Sequence, residues 1–204
     1  MAKHGKERII AAAFELFLKH GFKGVSLKDI IQSTGLSKGA IYHHFSSKRE
    51  IYVAAVDEYY LKILQNIDLD DENENFKDRI RSRFQFACQL FDYVEQTGND
   101  GIQYPIRSFF IFQLESERDE ELRAVIKKNL VNYRNKVQAI IQSAIAKGEI
   151  SVQLTSQVIA EQILSMIEGI AIHHSTLEKD SMAFLQKKYN QLIGSYLDLI
   201  SNKI

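Results

Sequence analysis

A chain of 204 residues with 45% hydrophobic and 25% charged residues has an ordinary globular balance, and its longest unbroken apolar runs, Ile9 to Phe14 and Ile51 to Val56, are six residues each, far short of the roughly 20 that span a bilayer. Charge at Lys3, Lys6, Glu7 and Arg8 argues against a signal peptide, and the single Cys88 excludes a disulfide framework or a Cys-rich zinc site, so the chain reads as cytoplasmic, with no membrane partner, metal or cofactor expected. The net charge of zero hides an asymmetry: residues 1–50 hold nine Lys/Arg against four Asp/Glu, and residues 51–204 hold seventeen against twenty-two, a basic head on an acidic body that suits a polyanion-binding module.

There is one proline and there are ten glycines, no stretch alternates with period two, and apolar residues instead recur at three and four. The expected fold is therefore all-α, with about nine helices. Ile10, Ala13, Phe14 and Phe17 mark a first helix ending near His20-Gly21. Tyr52, Ala55, Val56, Tyr59 and Ile63 mark a later one. Phe76, Ile80, Phe84, Cys88 and Phe91 mark another, and Leu122, Ile126, Leu130, Tyr133, Val137, Ile140 and Ala144 a long one ending at Gly148. Two more follow around 155–175 and 181–201. The acidic segment 68–74 reads as a solvated linker.

Residues 26–50 are the informative stretch. Ser26-Leu27-Lys28-Asp29 looks like a capping box opening a helix of about two turns before Gly35, which suits a left-handed corner. Ser37 caps a second short helix, and Ser47-Lys48-Arg49-Glu50 forms a box for the next. Helices this short need neighbours to persist. Two of them about a glycine corner, braced by longer ones, make a helix-turn-helix. On the second, Ile41 and Phe45 share one face with Leu36 and Ala40 as anchors, while Lys38, Gly39, Tyr42 and His43 form a stripe on the other. Lys38 can donate to guanine or to a phosphate, and Tyr42 and His43 can pack on a thymine methyl or donate to phosphate.

Over residues 8–56 the chain resembles the TetR family of bacterial transcriptional regulators. The matching elements are Ile10 to Phe17, Gly21-Phe22, Val25 to Ile30, Thr34 to Gly39, and Ala40 through Glu50. The resemblance implies a DNA-binding domain at 1–50 and an effector-binding and dimerising domain at 51–204. It implies that the second short helix enters the major groove, carrying Ser37, Lys38, Gly39, Tyr42 and His43. It also implies that Lys48 lies on the phosphate backbone and that Ser26 makes a phosphate contact, in keeping with the pull of a helix N-terminus on anions. Lys3, Lys6 and Arg8 are either a minor-groove arm or plain solvated charge.

In the body, the helix around 155–175 is apolar almost all round and needs cover on two sides. With the last helix it is expected to form a four-helix seam with a second copy, through Ile163, Ile167, Ile170, Leu192 and Tyr196. A two-fold homodimer would present two reading helices to an inverted-repeat operator in double-stranded DNA. An apolar pocket with a few polar anchors is expected among Phe84, Cys88, Phe91, Tyr104, Phe109, Phe112, Gln113, Tyr133, Met166 and His173, suited to a small hydrophobic or aromatic effector. The expected function is a ligand-responsive regulator, a repressor released from its operator. The rivals are an architectural DNA-binding protein without an effector, and a small helical enzyme. Catalysis has little to build on: neighbouring helical residues such as His173 and His174 point about 100° apart, and no nucleophile elbow or phosphate-binding loop is present.

Overall fold

The computed structural model describes residues 2–65, 74–82, 88, 104–177 and 182–201, and these are overwhelmingly helical. The head holds α1 (Ala2–Gly24), α2 (Leu27–Thr34) and α3 (Lys38–His44). Next, α4 starts at Lys48–Val56, passes through a single π-helical turn at Asp57–Leu61 and ends in Lys62–Gln65. The body adds helical turns at 76–82 (α5), α6 (Pro105–Ser116), α7 (Glu120–Ala146), α8 (Ser156–Leu177) and α9 (Met182–Ile200). The isolated bridge between Ile150 and Ser201 ties the end of α9 to the turn after α7, with the Ser151 amide donating to the Ile200 carbonyl at 2.9 Å.

The short helices stand because each terminus is satisfied. The Ser26 hydroxyl accepts from the Asp29 amide, and the Asp29 carboxylate accepts from the Ser26 amide at 2.7 Å and from its hydroxyl at 2.6 Å, a complete capping box. The Ser37 and Ser47 hydroxyls accept from the amides of Ala40 and Glu50, each at 3.2 Å. Glu50 reaches one residue further than its spacing suggests, accepting from the Ser46 amide at 2.7 Å instead of from Ser47. Gly35 takes φ 63° at the corner between α2 and α3. Gly148, at φ 73°, closes α7 with its own amide on Ile145 and that of Glu149 on Ala144, a Schellman pattern.

Head and body share one core. From α1, Ile9, Ala13, Phe14 and Phe17 are buried with Ile30 and Ile41 below and Ile51, Tyr52 and Ala55 of α4 beside them. α1 packs on α2, α4 and α6, and α8 packs on α6, α7 and α9. An aromatic layer joins the two parts: Phe14 stacks on Tyr59 at 4.0 Å and meets Phe112 edge-on at 5.2 Å, and Tyr52 lies among Phe17, Phe22 and Phe112 at 4.6–5.3 Å. The Tyr52 hydroxyl donates to the Phe112 carbonyl at 3.2 Å. The π turn brings Tyr60 into the same core, where its ring meets Phe109. α1 begins at Ala2, so Lys6 and Arg8 sit on helix instead of on an extended arm, with Lys6 over the Phe45 ring at 5.7 Å.

Candidate nucleic-acid interface

The second short helix presents the ridge its spacing predicts. Ile41 and Phe45 are buried, Leu36 packs partly against the core, and Ser37, Lys38, Gly39, Tyr42 and His43 are exposed. Tyr42 keeps 47% of its surface in solvent although it is a large aromatic, and the Lys38 ammonium lies over its ring at 5.7 Å from the centroid. The ridge thus offers a cation, a backbone approach at Gly39 and two aromatic groups with polar tips. His44 turns the other way, toward α1. A Cβ at Gly5 would stand 3.0 Å from its Nε2, so the missing side chain makes room for the ring. Ser26 is exposed at the start of α2, its hydroxyl engaged by Asp29.

Lys48 opens α4, the position at which the resemblance places it. Its ammonium turns inward, donating to the Phe22 and Val25 carbonyls at 2.6 Å each and resting 4.2 Å from the Phe22 ring centroid. The carbonyls of the turn between α1 and α2 attract it because the chain brings them to the first turn of α4, a proximity no local spacing reveals. Its neighbour Arg49 points to the body, donating from Nε and Nη2 to Asp119 at 2.7 and 3.0 Å and from Nη2 to Glu121 at 2.7 Å.

The profile for bacterial regulatory proteins of the tetR family matches residues 9–55, and that for the tetracyclin repressor-like C-terminal domain matches residues 89–184. The chain belongs to the TetR family. It is 29% identical over 156 residues to YerO, an uncharacterized HTH-type transcriptional regulator of Bacillus subtilis (strain 168), a match covering 70% of this chain and 52% of that protein. It is 25% identical over 175 residues to UidR, an HTH-type transcriptional regulator of Escherichia coli (strain K12), covering 83% and 81%. A solved TetR-family regulator from Agrobacterium tumefaciens superposes with a TM-score of 0.75 at 17% identity, covering 99% of this chain and all of that one. This TetR-family chain is a DNA-binding transcriptional regulator and not an enzyme. Among the described residues no helix is long and apolar enough to cross a membrane, and no group of three or more His, Cys, Asp or Glu could hold a metal ion.

The body residues singled out from the sequence disperse. Phe84 and Phe91 lie outside the described residues. Phe109 and Phe112 are buried 6.4 Å apart in the aromatic layer under α1, where they already serve as core. Cys88 is buried, Gln113, Tyr133 and Met166 are half-buried, and Tyr104 is exposed beneath the Arg107 guanidinium, 4.2 Å from its ring centroid. His173 is exposed, so it lines no interior site. An open cleft of about 370 Å³ lies in the head, between α1 and α2, lined by Leu16, His20, Val25, Asp29 and Gln32. Two polar groups stand out in the body, Tyr189 and Glu168. Tyr189 is buried and donates to the Ile167 carbonyl at 2.8 Å. Burial first, then Cys88, Glu168 and Tyr133, push its hydroxyl well above the tyrosine range. Glu168 is exposed, yet desolvation, then Glu117, raises its carboxyl above the usual range.

The expected dimer residues also divide. Ile163 and Ile170 are buried within their own subunit. A helix apolar on two sides gives no sign of which side its own domain takes. Ile167 and Tyr196 sit half-buried at the edge, the Tyr196 hydroxyl donating to the Gln162 amide oxygen, and Leu192 is exposed. The exposed stripe on α8 runs Val158, Gln162, Ser165, Gly169, Ile172, Thr176, and on α9 Leu192, Ser195, Leu199. Both step by four and three, the spacing of a helix–helix seam.

Proposed function

We propose that the protein is a homodimeric repressor whose two α3 ridges read an inverted-repeat operator, and that a small molecule bound in the body releases it. The observation that carries the reading is the polarity of α3: Ile41 and Phe45 are spent on the core while Lys38, Gly39, Tyr42 and His43 are left in solvent. In this proposal Lys38 donates to guanine or phosphate, Tyr42 and His43 contact bases or backbone, and Ser26 and Ser37 present helix-terminal donors to phosphates. The head is assigned to residues 1–50 and the effector-binding and dimerising part to 51–204. The dimer seam is assigned to the exposed stripe of α8 and α9, which retains Leu192 and, at its edge, Ile167 and Tyr196 from the sequence set.

For the effector, the half-buried Gln113, Tyr133 and Met166, buried Cys88, and Phe84 and Phe91 remain the proposed lining, with Tyr189 added as a polar anchor. Apolar walls with few polar groups favour a small hydrophobic or aromatic molecule. Release needs only that this molecule prefer a subunit arrangement whose ridges mismatch the operator. Selection of bound duplexes from a random pool, followed by a metabolite panel, tests the reading. An inverted repeat and saturable release by one compound are expected; binding without sequence preference, insensitive to every compound, favours the architectural alternative.

A further inference from the structure

We propose that the exposed face of α7 is a second DNA-binding surface, which takes the phosphate backbone of duplex lying beyond the operator's edge. The inference rests on the family's DNA binding and is independent of which effector the body takes. From Arg123 to Lys147 the chain holds six Lys/Arg (Arg123, Lys127, Lys128, Arg134, Lys136 and Lys147) and no Asp or Glu. That leaves eleven of the seventeen Lys/Arg, and all twenty-two Asp/Glu, to the rest of residues 51–204. All six cations are exposed. Elsewhere on the body Lys62 pairs with Glu58, Lys77 with Asp198 at 2.8 Å and Arg81 with Asp78 at 3.1 Å. On α7 the Arg123 Nε donates to the Glu117 carbonyl at 2.6 Å, and among the described residues no carboxylate pairs with any of the other five.

Helix stability does not account for this pattern. An exposed helix face is steadied by opposite charges three or four residues apart, and Lys127 instead repeats the charge of Arg123 four residues on. The side chains fall in two exposed rows: Arg123, Lys127 and Arg134, and beside them Lys128, Asn132 and Asn135. Lysine, arginine and asparagine all donate to phosphate oxygens whatever the base sequence. A protein partner calls for an aromatic anchor in a dry pocket, and the one aromatic residue of α7, Tyr133, is half-buried against the core. The rows also start beside the head. Asp119, the N-cap of α7, and Glu121 both accept from Arg49, the second residue of α4. That guanidinium offsets the carboxylates standing between the basic rows and the head. The helical rise then places Arg123 about 6 Å, Lys127 about 12 Å and Arg134 about 22 Å along the axis from Asp119, a ladder for a strand that continues past the operator.

The test uses the full chain and an operator that the wild-type protein selects from a random pool, in two duplexes. One ends at the operator's edges, and the other continues on each side by about two helical turns of unrelated sequence. Anisotropy titrations across a salt series give the affinity and its salt slope, and the short duplex is the control for operator reading itself, since α7 takes no part in it. The extended duplex is expected to bind about tenfold tighter at low salt, with log Kobs falling more steeply against log[salt] by about 0.9 for each added phosphate contact. In Lys127→Gln/Arg134→Gln the short duplex is expected to bind as in wild type, while the extended one loses its advantage and its slope shrinks by about 1.8. Equal slopes for the two duplexes in wild type, an advantage that the double variant retains, or the same loss on both duplexes overturns the proposal. So does polyglutamate that binds wild type and not the variant while the flanks add nothing, which gives the face to an acidic protein. Should the double variant fail to fold, hydroxyl-radical footprinting of the wild-type complex on the extended duplex decides: backbone protection beyond the operator supports the proposal, and a footprint confined to the operator overturns it.

Discussion

Tyr42 is half in solvent on a helix whose other face is fully spent on packing, and this makes it the residue whose removal should change what is read and not only how tightly. Tyr42→Ala is expected to cost about 1–3 kcal/mol on the preferred duplex and to flatten base preference at one position, measured by competition among single-base variants. Lys38→Met is expected to weaken all duplexes alike and lower the salt slope by about 0.9 if its ammonium sits on phosphate, or to relax one guanine position if it sits on a base. At Gly35 the nearest group to an added Cβ is Arg8 Nη2 at 3.8 Å, an ordinary contact. The cost of Gly35→Ala is therefore conformational and not steric. It should be about 1–2 kcal/mol for a non-glycine residue held at positive φ, read as a drop of roughly 2–8 °C in the head's melting.

At the scale of elements, α2 and α4 both open on carboxylate caps, and both carboxylates are held below their usual range. Hydrogen bonds from Ser26 do this for Asp29, and hydrogen bonds from Ser46 do it for Glu50. A carboxyl whose folded pKa is depressed adds stability above its unfolded value of about 4 and loses it as pH falls through the folded value. Acidification below about pH 4 should thus loosen the head, and the melting temperature of Asp29→Asn should converge on wild type between pH 5 and pH 3, while the two differ at pH 7. The layer between α1, α4 and α6 is sturdier. Phe112→Ala, removing a ring packed on Phe14 and Tyr52, should cost about 3–5 kcal/mol in chemical denaturation. The polarity of α3 was legible because Ile41 and Phe45 are four apart and their neighbours polar, a pattern that one helix carries by itself. The grip of Lys48 was not legible, because its acceptors are backbone carbonyls more than twenty residues earlier, and any residue type supplies a carbonyl.

For the whole molecule, the all-α reading and the end of α7 at Gly148 were legible, since periodicity and a left-handed glycine are written locally. The partition of α8 was not: Ile163, Ile170 and Ile172 read alike, yet the first two lie inside the subunit and Ile172 is 47% exposed. Ile172→Glu, which leaves the subunit core untouched, is expected to shift sedimentation equilibrium toward monomer and to weaken operator binding by the loss of the second head, whereas Val137→Ala should destabilise the fold without changing the association constant of what remains folded. The aromatic layer carries a last consequence, for the exchange of parts between relatives. Phe14 is a head residue by position, but it stacks on Tyr59 and abuts Phe112, both of them beyond residue 50. A chimera spliced there onto a foreign partner would leave benzene rings bare at the graft. Swapping specificity therefore asks for transplanted faces of α3, a handful of outward side chains, while the scaffold beneath stays with its native companion.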